Sequence, residues 1–125
     1  MKPIDIKNIQ DILKANADTY FDTKLSIKLA KLKLEIDSCV KIYNDVVTRL
    51  LNEFAVKEDN KYKFDDEGNV FIKEEKLSEW TTEYKKLEET DFDVKTTFSE
   101  EELDQVKMTP KQASSLILLK ENPKD

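Results

Sequence analysis

The amino-acid sequence predicts a mostly α-helical fold with a small β-hairpin, on three observations. First, apolar residues recur at alternating spacings of four and three along one long stretch, which places them on a single helix face. Second, a shorter stripe of the same kind follows later. Third, turn-forming residues separate the two stripes, while only one Gly and three Pro occur in all 125 residues. The long stripe consists of Leu25, Leu29, Leu32, Ile36, Cys39, Tyr43, Val46 and Leu50, and the short stripe of Leu77, Trp80, Tyr84 and Leu87.

Length and composition bound the class of protein. Charged residues make up 38% of the chain and hydrophobic residues another 38%, against about 25% charged in an average domain, so we expect a narrow core. The length fits a single domain, residues 1–125. No apolar run reaches the roughly 18 residues of a membrane span, and no secretory signal opens the sequence. With its single Cys, which excludes an internal disulfide, the chain is expected in the cytoplasm, without membrane contact.

A short N-terminal helix is expected over residues 5–20. Its apolar residues recur at helical spacing, and Asp5 is suited to cap its start. They are Ile6, Ile9, Leu13, Ala17 and Tyr20. Residues 18–24 then break the period with Thr, Asp and aromatic side chains, which is typical of a connector.

The long stripe predicts a second helix over residues 25–56. In its second half, Val40, Val47 and Phe54 widen the apolar face. A wider face indicates more than one covering neighbour at that end. We therefore expect the first and last helices to pack there.

Residues 61–72 predict a strand, a turn and a second strand. Aromatic residues alternate with Lys at first, and residues 65–69 then supply turn chemistry around the one Gly of the chain. Aligning Gly68 with the Gly of an EF-hand loop offers a calcium site as the alternative. The first ligand position then falls on Lys63, which cannot coordinate a cation. We therefore expect a plain hairpin and no bound metal.

The short stripe predicts a third helix over residues 74–89. We expect it to pack antiparallel to helix 25–56, with the hairpin 61–72 as the connection, and to cover residues that include Leu32 and Ile36. At 1.5 Å per residue it covers roughly 24 Å of a partner about 48 Å long. Either the N-terminal helix or a second copy in a homo-oligomer covers the remainder.

Local signals place two short helices near the C-terminus. Residues 91–98 predict either an edge strand or an extended tail. Ser99 followed by Glu102 resembles a capping box and predicts a brief helix. Thr109 as cap and Pro110 at the first helical position predict a short C-terminal helix.

The sequence offers little for catalysis. It holds no His, and so lacks the usual general base and the commonest metal ligand. No carboxylate lies isolated in an apolar run where burial would raise its pKa. We therefore expect no enzymatic activity, no catalytic residue and no cofactor. Cys39 is expected to be a small buried hydrophobe rather than a reactive thiol.

Charge is unevenly distributed along the chain. The net charge is −6, but residues 58–104 alone carry seven Lys and seventeen acidic residues, a net of −10. Such a segment either binds a basic protein surface or keeps the chain soluble, and it disfavours nucleic acid as a partner. Lys24, Lys28 and Lys31 share a helix face that could hold phosphate, but the lack of interleaved Arg favours a solvated face.

The order of these segments resembles a family of small uncharacterised proteins, a domain of unknown function, from tailed phages and prophages of low-GC Gram-positive bacteria. The resemblance covers nearly the full length. It rests on residues 6–8, on the stretch 24–30 (where the family often has Pro in place of Ser26), on residues 33–35 and 65–69, and on Thr109-Pro110. The family has no assigned reaction and no functional residues to carry over. Its genes tend to lie in or near the late structural and lysis region, which implies a virion-related or assembly role.

The sequence and the resemblance together predict a non-enzymatic phage protein that binds another protein in tail or virion assembly. The alternative is a counter-defence inhibitor that binds a host protein through the acidic segment 58–104. Both place the protein in the host-cell cytoplasm, with the virion as a further location. We expect residues 65–69, here called the hairpin tip, to make the contact. The predicted partner-binding residues are Asp65, Asp66, Glu67 and Asn69.

Overall fold

The computed structural model describes residues 1–121, which contain five α-helices and one two-stranded antiparallel sheet. The helices are α1 (Pro3–Ala15), α2 (Thr23–Phe54), α3 (Leu77–Glu88), α4 (Glu100–Asp104) and α5 (Pro110–Leu116). The strands are β1 (Lys57–Glu58) and β2 (Lys61–Tyr62), and two 3₁₀ turns (Glu74–Lys76 and Ile117–Leu119) precede α3 and follow α5. Helical residues make up 62%, so the predicted mostly-α fold with a small hairpin is confirmed.

The chain divides into two compact units, each with its own core. The first unit contains Met1–Lys41 and the chain from Thr90 onward, and the second is Ile42–Glu89. Helix α2 supplies side chains to both cores. Whether the two units unfold together, as a single domain over residues 1–125 would, stays a prediction.

The first unit holds the larger core. Helix α1 begins at Pro3, whose fixed φ suits the first helical position, and it packs against α5. Three of the four isoleucines of α1, Ile6, Ile9 and Ile12, lie on the buried face at a spacing of three, and Ile4 is exposed. The buried core residues are Ile6, Ile9, Ile12, Leu25, Leu32, Ile36, Cys39, Phe98, Val106, Leu116 and Leu119.

Helix α1 ends at Ala15, earlier than the expected residue 20. The buried side chain of Asn16 donates from Nδ2 to the backbone oxygens of Ile12 (2.8 Å) and Lys107 (2.7 Å). Its Oδ1 accepts the N–H of Lys107 at 3.0 Å. These bonds fix the end of α1 to the loop before α5. The helix therefore does not continue through the apolar residues that were predicted to extend it. Tyr20 is 96% exposed, and its predicted place on the helix was wrong.

A buried polar relay also joins α1 to α5. Asn8 donates from Nδ2 to Ser115 Oγ at 2.9 Å, and Ser115 donates from Oγ to Asp5 Oδ1 at 2.7 Å. Asn8 is 7% exposed and Ser115 is fully buried. These polar groups tolerate burial because each has a hydrogen-bond partner.

Residues 90–98, here called the strap, belong to the first unit and form neither a helix nor a regular strand. At its end, the ring of Phe98 is fully buried. The N–H of Phe98 donates to the oxygen of Leu119 (2.9 Å), and the N–H of Glu121 donates to the oxygen of Phe98 (2.8 Å). A single parallel bridge to Lys120 results. Of the two interpretations that the sequence left open for residues 91–98, the edge strand is not formed.

The second unit packs α3 antiparallel to the second half of α2. Near the start of α3, the Trp80 ring meets the Phe54 ring edge-on at 6.2 Å. At its end, Glu88 Oε1 accepts the hydroxyl of Tyr43 at 2.6 Å. The buried residues of this core are Leu50, Phe54 and Leu87, with Tyr43, Val46, Val47, Ile72 and Trp80 packed around them. The predicted antiparallel pairing is confirmed for this half of α2, but the prediction that the whole short stripe is buried was wrong, because Leu77 and Tyr84 are exposed.

The first half of the long stripe has other neighbours than expected. Leu32 and Ile36 lie in the core of the first unit, not against α3. The first and last helices therefore cover the narrow half of the stripe, and α3 and the hairpin cover its wide half. The prediction that α3 covers Leu32 and Ile36 was wrong, and so was the prediction that the first and last helices pack on the wide half. An apolar stripe shows that a helix face is buried but not which segment covers it.

Both predicted caps near the C-terminus are present. Ser99 Oγ accepts the N–H of Glu102 at the start of α4. Thr109 Oγ1 accepts the N–H of Gln112 at the start of α5, with Pro110 as its first residue. These predictions are confirmed because capping depends on residues three apart.

Candidate protein-binding site

A tight turn that was not expected from the sequence begins the hairpin region. Strands β1 and β2 pair antiparallel around Asp59 and Asn60, which have φ values of 52° and 65°. Positive φ at both central residues is what a type I′ turn requires, and Asp and Asn tolerate it better than most residues do. The sequence signal that could have predicted this turn is the Asp-Asn pair between two short alternating segments.

The chain then folds back around the hairpin tip, as predicted. Phe64 and Val70 form an isolated antiparallel bridge, and the N–H of Phe71 donates to the oxygen of Lys63 at 2.9 Å. The N–H of Lys63 donates in turn to the oxygen of Val56 at 3.1 Å. The regular strands lie earlier than expected, at β1 and β2, because the Asp-Asn turn sets their register. Three extended segments thus hold the hairpin tip at the end of α2.

The carboxylate of Asp65 organises the hairpin tip from within. Its Oδ1 accepts the N–H groups of Glu67 and Asn69, both at 2.9 Å. The N–H of Asp65 donates to the oxygen of Asn69 at 2.9 Å, and the N–H of Gly68 donates to the oxygen of Asp65 at 3.1 Å. Gly68 has a φ of 83°, which glycine adopts without steric cost. Because four hydrogen bonds close the loop, its backbone is well defined.

The four predicted contact residues therefore differ in their freedom to bind. Asp65 is half-buried, and its carboxylate is occupied by the loop. Asp66, Glu67 and Asn69 are exposed. Within residues 1–121, no hydrogen bond or ion pair engages the carboxylates of Asp66 and Glu67. Three of the four side chains are thus available to a partner, and the fourth holds them in place.

Two aromatic rings are exposed beside the hairpin tip. Phe64 is 56% exposed and Phe71 is 42% exposed, and the Lys63 ammonium lies 5.5 Å from the centre of the Phe71 ring. Within the same acidic segment, Phe98 is fully buried and Tyr84 is 37% exposed. Period-2 alternation did not show which rings are exposed, because that depends on what packs on each face.

The lysine face on the first half of α2 does not stay together as a phosphate site. The Lys28 ammonium donates to Glu102 Oε1 at 2.6 Å, and this hydrogen bond raises the pKa of Lys28. Burial alone would raise the pKa of Glu102, but its bonds with Lys28 and Ser99 lower it. Lys28 is thus committed to an ion pair within the first unit, which leaves Lys24 and Lys31 on the exposed face.

Glu35 performs a structural task on α2. Its Oε2 accepts the N–H of Lys95 at 2.6 Å, and its Oε1 accepts the N–H of Thr96 at 3.1 Å and also the Thr96 hydroxyl. Burial alone would raise the pKa of Glu35, but these donors outweigh it and lower the pKa. The carboxylate therefore clamps the strap to α2.

Two further groups have raised pKa values because they are buried. Burial, followed by the hydrogen bond to Glu88, raises the pKa of Tyr43. Burial also raises the pKa of the Cys39 thiol, which is 6% exposed. The side chain of Cys39 thus lies in the core, as the sequence predicted.

Among residues 1–121, no group of three or more His, Cys, Asp or Glu side chains could hold a metal ion. No helix in this part of the chain is long and apolar enough to span a membrane. Comparisons with protein-family models, with curated proteins and with solved structures find no match to this chain.

Proposed function

We propose that this chain is a non-enzymatic protein that binds a protein partner during the assembly of a phage tail or virion. The hairpin tip is the observation that carries the proposal. A loop of fixed backbone presents the exposed carboxylates of Asp66 and Glu67 next to the exposed ring of Phe64. An aromatic anchor beside polar groups is typical of binding surfaces. The phage setting, in the host cytoplasm or with the virion, rests on the resemblance in segment order.

The partner expected at this site carries a basic surface. Carboxylates on a fixed loop accept charge-assisted hydrogen bonds from Lys or Arg. Charges at the rim of an interface speed encounter, and their effect falls as salt rises. The Asn69 side chain adds a donor and an acceptor to the same loop.

A counter-defence inhibitor of a host protein is the second candidate. The net charge of −10 over residues 58–104 favours it, because a strongly acidic surface competes for basic surfaces of host proteins. That charge falls in both units, with residues 58–89 in the second and residues 90–104 in the first.

Recovery of bound proteins from infected cells distinguishes the two functions. Co-purification of tail or virion proteins supports assembly, and recovery of a host nuclease or defence protein supports the inhibitor. A turnover assay across hydrolase substrates whose activity one carboxylate substitution abolished would replace both with an enzyme.

A matched pair of double variants tests the site. Asp66→Ser with Glu67→Ser removes two charges from the hairpin tip but keeps Asp65, which holds the loop. The control, Glu75→Ser with Glu89→Ser, removes two exposed charges from the same unit. We expect weaker, less salt-sensitive binding for the first variant and parental binding for the control. Equal binding by all three proteins would overturn the site, and equal weakening would show that only net charge matters.

A further inference from the structure

Helix α2 carries a second stripe on a face that does not contribute to the core of the first unit. The stripe repeats at spacings of three and four within the first unit and consists of Lys24, Ile27, Lys31, Leu34, Ser38 and Lys41. All six residues are exposed, with Ile27 at 51% and Leu34 at 70%. No hydrogen bond or ion pair within residues 1–121 engages its three lysines. This basic stripe has two apolar residues one heptad apart and no acidic residue.

The second unit exposes a stripe with the same spacing and the opposite charge. It consists of Glu74 in the 3₁₀ turn and of Leu77, Thr81, Tyr84 and Glu88 in α3, and all but the half-buried Glu88 are exposed. Leu77 is 52% exposed and Tyr84 is 37% exposed, and they are also one heptad apart. Glutamates stand at both ends, of which Glu88 also accepts the Tyr43 hydroxyl. This acidic stripe is about 21 Å long and the basic stripe about 26 Å.

We propose that the basic stripe of one copy packs against the acidic stripe of another copy. The matching heptad spacing lets Ile27 and Leu34 meet Leu77 and Tyr84, as in other helix pairs with a 3-4 repeat. With Ile27 opposite Leu77 and Leu34 opposite Tyr84, Lys24 lies opposite Glu74, and Lys41 lies about one turn beyond the position opposite Glu88. The occupant is a second copy because this chain itself presents the complementary charge and spacing.

Such a contact joins two different surfaces. It closes in a dimer only if both pairs of stripes meet at the same time, and otherwise it continues into rings or open chains. The stripes are short, so each contact is weak and its population depends on protein concentration. The inference does not depend on what the hairpin tip binds.

Sedimentation equilibrium over about 10 µM to 1 mM protein tests the contact. In 0.1 M salt, we expect the average mass to rise above 14.6 kDa as concentration rises. In 1 M salt, where charges are screened within about 3 Å, we expect a lower mass. A mass of 14.6 kDa at every concentration in 0.1 M salt overturns the proposal.

Two variants each block one stripe. Leu34→Glu places an acid on the basic stripe, and Leu77→Glu adds one to the acidic stripe. Both side chains are more than half exposed, so folding is expected to survive, which circular dichroism checks. Each variant alone should be monomeric. Their mixture should stop at a dimer, because one native basic stripe and one native acidic stripe remain between them.

Lys24→Glu with Lys31→Glu supplies a second block of the basic stripe that leaves its apolar residues unchanged. It too should be monomeric alone and form a dimer with Leu77→Glu. Blocked variants that still associate like the parent, or mixtures that stay monomeric, overturn the proposal. The proposal is also overturned if the parent is monomeric and binds phosphatidylglycerol vesicles while Leu34→Glu does not bind them. The basic stripe would then be a lipid-binding face.

Discussion

Replacing Glu35 with Gln should destabilise the first unit and make the loss depend on pH. Glu35 accepts three hydrogen bonds from Lys95 and Thr96, and Gln keeps its shape but offers only one acceptor oxygen. The two Thr96 bonds can remain on that oxygen, while the N–H of Lys95 loses its acceptor. Hydrogen bonds to charged groups contribute about 1.5–3 kcal/mol. Because the Lys95 bond is exposed to water, we expect a loss of about 1–2 kcal/mol.

Urea unfolding at several pH values measures this loss. The pKa of Glu35 is lower in the folded chain than its ordinary value of 4.5. Its contribution is therefore fully present above pH 4.5, and it disappears as the pH falls through the folded-state pKa. The difference in unfolding free energy between parent and Glu35→Gln should be largest at pH 7 and should shrink as the parent's carboxylate takes up a proton.

The neighbouring Asp37→Asn is the matched control. Asp37 lies on the same helix and is exposed, and within residues 1–121 it pairs only with Lys33, four positions away. The loss for Asp37→Asn should therefore be within about 0.5 kcal/mol. If Glu35→Gln is as stable as the parent at pH 7, or if the difference does not change with pH, the clamp does not hold the strap.

Three further predictions concern the two cores. Leu87→Ala should lower the unfolding free energy in urea by about 2–5 kcal/mol, because Leu87 is 6% exposed. Leu77→Ala should lower it by less than about 1 kcal/mol, because Leu77 is 52% exposed. Equal losses would refute the assigned core. An ultraviolet titration of the parent should include a tyrosine that ionises above the ordinary pKa near 10, and Tyr43→Phe should lack it. An unchanged titration would count against a buried Tyr43 hydroxyl. Cys39 should react slowly with a thiol reagent in the native chain and rapidly in denaturant, and a fast native reaction would show that the site opens.

Local sequence signals predicted where the elements lie better than they predicted which elements pack against one another. The caps at Ser99 and Thr109 involve residues three apart, so nearby sequence determines them. The long stripe likewise predicted α2. The same stripe could not show that its residues up to Cys39 face α1 and α5 while those from Tyr43 face α3. A periodic pattern identifies a buried face, and the covering segment depends on contacts between distant parts of the chain.

The candidate site was predicted in part for similar reasons. The turn around Gly68 was expected because a single Gly stood between alternating segments, and its positive φ is observed. That Asp65 holds the loop while Asp66 and Glu67 are exposed could not be predicted, since all three are acidic and adjacent. Only their hydrogen bonds separate the residue that shapes the loop from those that face outward.

The relay from Asn8 to Ser115 has a consequence for how the chain folds as it is made. These two residues are 107 positions apart, and the whole second unit lies between them in the sequence. A ribosome therefore completes Ile42–Glu89 before it makes α5. Contacts between distant residues form late, so the part of α1 that packs against α5 stays uncovered until the last part of the chain emerges. During that interval, the apolar face of α1 is open to nascent-chain aggregation and to chaperones.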